Sequence, residues 1–410
     1  MRTYRDIFAV SQFRALFVAR CIVMTSISLA GLALGTITYG ATGSPVLTAL
    51  SMFGGPLITL LGSSLVLGAS DSLRPRTAMI ASAVAALVAD SLQAIPGMPW
   101  GARFAILAVP FLVASATGGS TVRLLTAIVP ADGLLLGRAT LNIAVGVMQV
   151  IGYGLGGFLL QWFSAPGLFV IAAVADVVAI VVVRLGVGDH RAVSNGGSSL
   201  LRRTRTVNRS LLGSRVTRPL YLCMWVPNGL IVGCEALFVP FAGAAGAGLL
   251  FATSAAGMLF GDVVMGRFIP PPLRDRLIGP VRLWLAAPYL AFFCHPALPV
   301  AAVLAFLASF GYCASLPMQE RLLSCTSPDI RGQTFGLFSN GLMIGQSLGA
   351  LAGGAVAMAV PPHDAMGILA VASALVTVSL TRGLRRSAPH ARSGKTTSVE
   401  PAEDEGMMLR

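Results

Sequence analysis

Apolar runs of about 20 residues, bounded by Pro, Gly and Arg, recur along the whole chain. That is the length an α-helix needs to cross a hydrocarbon layer about 30 Å thick. The runs predict six helices over residues 12–38, 45–70, 77–95, 103–125, 139–162 and 166–184. Six more are predicted over 219–242, 247–267, 277–295, 297–319, 333–358 and 364–384, with the tightest turns at Pro296 and Pro361. The first run is followed by many others, so it reads as a retained span and not as a cleaved leader.

One stretch breaks the rhythm. Residues 185–218 are polar and basic, with Asn195-Gly196-Gly197-Ser198-Ser199 followed by Arg202-Arg203-Thr204-Arg205. The expected organisation is a six-helix half over 1–184, a cytoplasmic basic linker over 185–218 and a second six-helix half over 219–386. The linker reads as solvated, and its arginines with Leu200, Leu201, Leu211 and Leu212 leave contact with lipid headgroups or a partner open. The tail, 387–410, carries Glu400, Glu403, Asp404 and Glu405 without an apolar period and is expected to be disordered.

Composition changes the picture in one respect: it removes the soluble alternatives. Of 410 residues, 55% are hydrophobic and 11% charged, against about 25% charged in a soluble chain, so lipid is the main solvent. The net charge of +13 would suit nucleic acid if it were clustered, but it is not. Taking the N-terminus as cytoplasmic, 27 of the 29 Lys and Arg fall at the inner face, as positive-inside insertion requires. Arg103 falls outside and Arg20 within the first helix. Both termini are therefore expected in the cytoplasm of a multi-pass plasma-membrane protein. The six cysteines have no paired spacing, so neither a metal site nor a disulfide framework nor a cofactor is expected. His190, His295, His363 and His390 lie in loops or at helix ends with no neighbouring acidic cluster, which speaks against a membrane enzyme.

An internal repeat sets the architecture. Gln149-x-x-Gly152-x-x-x-Gly156-Gly157 in the fifth predicted helix returns as Gln346-x-x-Gly349-x-x-x-Gly353-Gly354 in the eleventh, 197 residues later. Both copies follow a proline-acid loop, Pro130-Ala131-Asp132 and Pro328-Asp329. The halves are parallel repeats about an axis along the membrane normal, and glycines four apart let helix backbones approach closely. Equal substitutions at Gly152 and Gly349 are therefore expected to cost the same.

With these features the chain resembles the major facilitator superfamily, and within it the twelve-helix drug:proton antiporter-like exporters. Arg14 with Tyr39-Gly40-Ala41-Thr42-Gly43-Ser44-Pro45 resembles that branch's first hairpin. Arg138-Ala139-Thr140-Leu141-Asn142 leading to Gly152-Tyr153-Gly154-Leu155-Gly156-Gly157 is similar to its fifth-helix signature, with Tyr153 where the branch has proline. Gly68-Ala69-Ser70-Asp71-Ser72-Leu73-Arg74-Pro75-Arg76 is a degenerate form of the superfamily's loop between helices 2 and 3. The segment Gly266 to Pro271, with Arg274 and Gly279-Pro280, resembles the loop after helix 8. The resemblance implies an all-α membrane fold of twelve transmembrane helices in two pseudo-symmetric halves. Helices 1, 4, 7 and 10 would surround the cavity, and helices 3, 6, 9 and 12 would lie outside.

Ionisable groups in lipid are costly and mark pathways. On that frame Arg20 and Glu235 sit on cavity helices, Glu235 about 24 Å along its helix and hence in the outer half. Glu235 reads as a coupling or substrate-binding carboxylate or a structural hydrogen-bonding group, and Arg20 as a counter-charge or anion ligand. Asp90 and Asp176 read as structural or relay carboxylates on peripheral helices. Asp71 and Arg76, and Asp262 with Arg267, read as cytoplasmic gate pairs. Gln149 and Gln346 either line the cavity or bridge helices. The expected function is proton-coupled export of a small amphipathic or hydrophobic compound by a monomer in the bilayer, with protons and that small molecule as its partners. Uptake or facilitated carriage of a small solute is the alternative.

Overall fold

Gly43 takes a left-handed conformation (φ 61°) and its N–H donates to the Tyr39 carbonyl at 2.8 Å, which ends the first long helix. Ser44 then accepts from the Leu47 N–H at 3.3 Å and Pro45 opens the next helix at a position where its missing N–H costs nothing. A computed structural model describes residues 4–65, 74–117, 120–130, 133–190 and 197–386. Asp71 and the tail 387–410 lie outside the described residues.

After a short N-terminal helix (Tyr4–Ala9), the first half contains α1 (Ser11–Thr42), α2 (Pro45–Phe53, continued by Gly55–Leu65), α3 (Pro75–Gln93), α4 (Trp100–Thr117, continued by Ser120–Ile128), α5 (Leu134–Leu159) and α6 (Ala165–Gly186). The second contains α7 (Thr217–Glu235), α8 (Phe238–Arg267), α9 (Pro271–Trp284, continued by Ala287–Leu290), α10 (Leu298–Phe310, continued by Ser315–Ser324), α11 (Arg331–Val356) and α12 (Pro362–Arg386). Seven helical stretches among the described residues are long and apolar enough to cross a membrane, eight when the two parts of α2, bent by 57°, count as one. Others, such as α7 and α11, are long enough but diluted by Asn, Gln, Arg and Gly.

The repeat is visible in the packing. Gly152 and Gly156 of α5 face α1 at Ser28, Leu29 and Leu32, and Gly349 and Gly353 of α11 face α7 at Gly229 and Gly233. The last glycine of each motif joins the two halves: Gly157 lies against Gly248 of α8, and Gly354 against Val46 of α2. The two motifs thus make equivalent contacts with different closeness. At Gly152 an added Cβ would meet the Ser28 side chain at 2.7 Å, whereas at Gly349 it would meet the Gly229 carbonyl oxygen at 1.8 Å. In place of equal substitution costs, the larger cost is expected at Gly349, because both sites require a helix backbone to shift and the approach there is closer by 0.9 Å.

Three further expectations change. The seventh helix was expected to run to 242, but α7 stops at Glu235, the chain turns at Ala236 and Leu237, and α8 begins at Phe238. Pro240 has no N–H to offer the Ala236 carbonyl, and Gly243 (φ 67°) adds a kink inside α8. The linker contains a helix, Gly197–Gly213, whose Leu211 is buried with Leu220 and Tyr221 while Arg205 and Arg209 stay exposed. Arg282, counted among the cytoplasmic arginines, is fully buried in α9. Its Nε and Nη2 donate to the Cys223 carbonyl at 3.1 and 2.8 Å, and Nη2 to the Met224 carbonyl at 2.9 Å. Pro227 inside α7 explains this, since its ring removes the helical bond that the Cys223 carbonyl would accept.

Arg103, also buried, holds the turn between α3 and α4. It donates to the carbonyls of Met98, Gln93 and Ile95 and to Gln93 Oε1. A guanidinium with this many acceptors is compensated without water.

Candidate functional site

The break after Glu235 leaves its carboxyl at the end of α7, beside a cavity of about 350 Å³ between the two halves. The Tyr312 hydroxyl of α10's middle turn donates to Glu235 Oε1 at 3.5 Å. Gln149 of α5 and Gln346 of α11 line the same cavity, so the repeat places its two glutamines on one space. Gln346 Nε2 also donates to Asn228 Oδ1 at 3.1 Å, so this glutamine both lines the cavity and bridges α11 to α7. Aromatic residues form a wall: Tyr153 stacks on Phe251 with ring centroids 4.6 Å apart, and Phe53 and Phe238 lie at 6.5 and 5.0 Å from Phe251. The residue that departs from the proline of the resembled signature therefore supplies a ring to the cavity.

Asp262 was read as the partner of Arg267 in a gate. It lines this cavity instead, Arg267 is exposed at the end of α8, and no ion pair joins them among the described residues. Two carboxyl groups, four amides (Gln149, Asn228, Gln319 and Gln346) and an aromatic wall face a space to which no described Lys, Arg or His contributes. Such a surface favours a cation with an apolar body, because carboxylates attract the charge and ring faces stabilise it.

The helices around this cavity are α2, α5, α7, α8, α10 and α11. Helices α1 and α4, expected here, face elsewhere. With α2, α3 and α6 they enclose a second cavity of about 490 Å³ inside the first half, and it is there that Arg20, Asp90 and Asp176 lie. Arg20 thus does not share a cavity with Glu235. Asp90 and Asp176, read as separate carboxylates on peripheral helices, line this one cavity together.

In the first turn of α3, Arg76 donates to the Arg184 carbonyl, at the C-terminal end of α6, where a cation is favoured. Arg74 pairs with Asp189 just beyond it. Neither contact reaches the second half. The histidines are less isolated than the sequence suggested: the rings of His295 and His363 lie 4.1 Å apart, and His363 Nδ1 is 3.2 Å from Asp364 Oδ1.

No protein-family model and no curated protein matches the chain. Solved structures do. A POT family transporter in complex with 5-aminolevulinic acid superposes with a TM-score of 0.69 at 12% identity, covering 92% of this chain and 96% of that one. A variant of the nucleoside transporter NupG gives 0.69 at 12% identity over 92% of this chain and 99% of its own. A D-xylose-proton symporter gives 0.65 at 12% identity with the same coverage. At such identity these likenesses establish the fold: a multi-pass, all-helical membrane protein with the architecture that these three transporters share.

Proposed function

We propose that the protein is a secondary transporter of twelve transmembrane helices in two six-helix halves, which exports a small amphipathic cation in exchange for protons by alternating access. The observation that carries this reading is the cavity between the halves, where Glu235 and Asp262 meet an aromatic wall and no described basic side chain. A carboxyl group in such a place can hold either a proton or a cation, and competition between the two is what exchange requires. The shared fold of the POT transporter and the xylose-proton symporter supports secondary transport, and resemblance to the drug:proton antiporter-like exporters supports export. In a host lacking its own pumps, expression should lower accumulation of a lipophilic cationic dye several-fold, and an uncoupler should abolish the difference. Accumulation unchanged by expression would overturn the reading.

The four amides in the cavity favour a second reading, uptake of a polar solute. The same host would then accumulate a polar solute when the protein is expressed and leave the dye unaffected.

The orientation has its own test. With both termini and the 185–218 linker cytoplasmic, exposed Ser164 at the start of α6 lies outside. Ser164→Cys in whole cells should react with an impermeant maleimide. Reaction only after the cytoplasmic side is opened would invert the topology.

A further inference from the structure

The cavity inside the first half is walled off from the central one by α2, whose Ser51 and Met52 face the former and Phe53 the latter. Its polar groups lie at two levels. Asp176 is 1% exposed, lines the cavity, and has its Oδ2 without a hydrogen-bond partner among the described residues. Asp90 stands beside it, and Ser26 of α1 marks the same level. Arg20 lines the cavity six residues earlier on α1, about 9 Å along the helix axis. No hydrogen bond or ion pair reaches its guanidinium among the described residues. Between the two levels the wall is apolar, with Val23 of α1, Ala83 and Ala86 of α3 and Ala179 of α6.

A cation at one end and a carboxyl pair at the other, each lacking a counter-ion in a low-dielectric space, are both costly as they stand. One molecule carrying both opposite charges would compensate both. We propose that this cavity is a second binding site, for a dipolar amphiphile whose ammonium group is held by Asp90 and Asp176, whose anionic group is held by Arg20, and whose aliphatic body lies along the apolar wall. The ammonium supplies donors to carboxyl oxygens, and the guanidinium presents its fork to a carboxylate or phosphate. The site is independent of the role proposed for Glu235, which lines the other cavity.

The test uses the full-length protein in nanodiscs, with radiolabelled ε-aminocaproate as probe. Saturable binding is expected, with the half-molecules pentylamine and caproate each competing at least about tenfold more weakly, the size of one lost charge-assisted contact. Arg20→Gln and Asp176→Asn should each weaken binding by about tenfold or more, and Glu235→Gln should leave it unchanged. Ala114→Phe, which fills the cavity without altering a charge, should abolish it and covers the case in which a charge variant fails to fold. Absence of saturable binding, pentylamine competing as well as the intact probe, or binding that follows Glu235→Gln and ignores Ala114→Phe would each overturn the proposal. In the last case the central cavity would be the site and its transport reading would stand.

Discussion

Gly349→Ala is expected to remove most of the folded protein from the membrane, while Gly152→Ala removes a smaller share. The new Cβ at 349 would sit 1.8 Å from the Gly229 carbonyl oxygen, and α7 can escape only by moving as a whole. Its neighbours block that movement, because Gly353 and Gly233 make the same close approach one turn further on, at 2.4 Å from a Gly353 Cβ to the Gly233 carbonyl oxygen. Overpacking costs about 1–3 kcal/mol where side chains can adjust, and Gly349 should lie at or beyond the upper end. At Gly152 the nearest atom is Ser28 Cβ at 2.7 Å, with the Thr25 carbonyl oxygen at 3.2 Å, so α1 must also shift there, but by less than α7 must at Gly349. Detergent-solubilised yield and melting temperature measure both. Equal losses at the two positions would show that α5 and α11 are packed alike.

Glu235→Gln should abolish gradient-driven transport while leaving the protein folded. Glutamine keeps the size and can still accept from the Tyr312 hydroxyl, but it can neither release a proton nor attract a cation. In proteoliposomes with an imposed pH gradient, accumulation against the substrate gradient is expected to fall to background, with exchange down the substrate's own gradient surviving. Asp90→Asn and Asp176→Asn should leave the pH dependence of the remaining transport intact, since they lie in the other cavity. Asp262→Asn is the informative comparison, because Asp262 lines the same space as Glu235. If Asp262→Asn uncouples transport and Glu235→Gln does not, the coupling carboxyl is on α8 and not on α7.

Much of the frame was legible because it is written in spacing. The glutamine and glycine motif displaced by 197 residues identified α5 and α11 as equivalents, and close approach of helices needs small residues wherever it occurs. Glu235 stood out because an acid in an apolar run is costly and calls for either a hydrogen-bonding partner or a task. What could not be read depended on which faces meet. Arg282 looked cytoplasmic because it follows Arg274 and Arg276 in sequence, and only the proline-freed carbonyl on another helix explains its burial. Pro227 was the one available signal, and it names an unsatisfied acceptor without naming the donor. Asp262 was assigned to a gate because Arg267 is near in sequence, yet five residues along a helix put two side chains on different faces. Arg20, Asp90 and Asp176 come from three helices, and nothing in the spacing of any one of them reports the shared cavity.

Where Gly157 meets Gly248, two helices from opposite halves touch without a side chain from either glycine between them, and on the other flank Gly354 lies against the backbone of Pro45 and Val46. Surfaces that interlock by side chains must be lifted out of register before they can turn on one another. A smooth contact needs no such disengagement and works as a bearing. The two halves thus have a pair of pivots on which a rocking motion would cost little more than the contacts it exchanges at either end, and bulky residues at Gly157 or Gly248 would act as a brake even where the chain still folds.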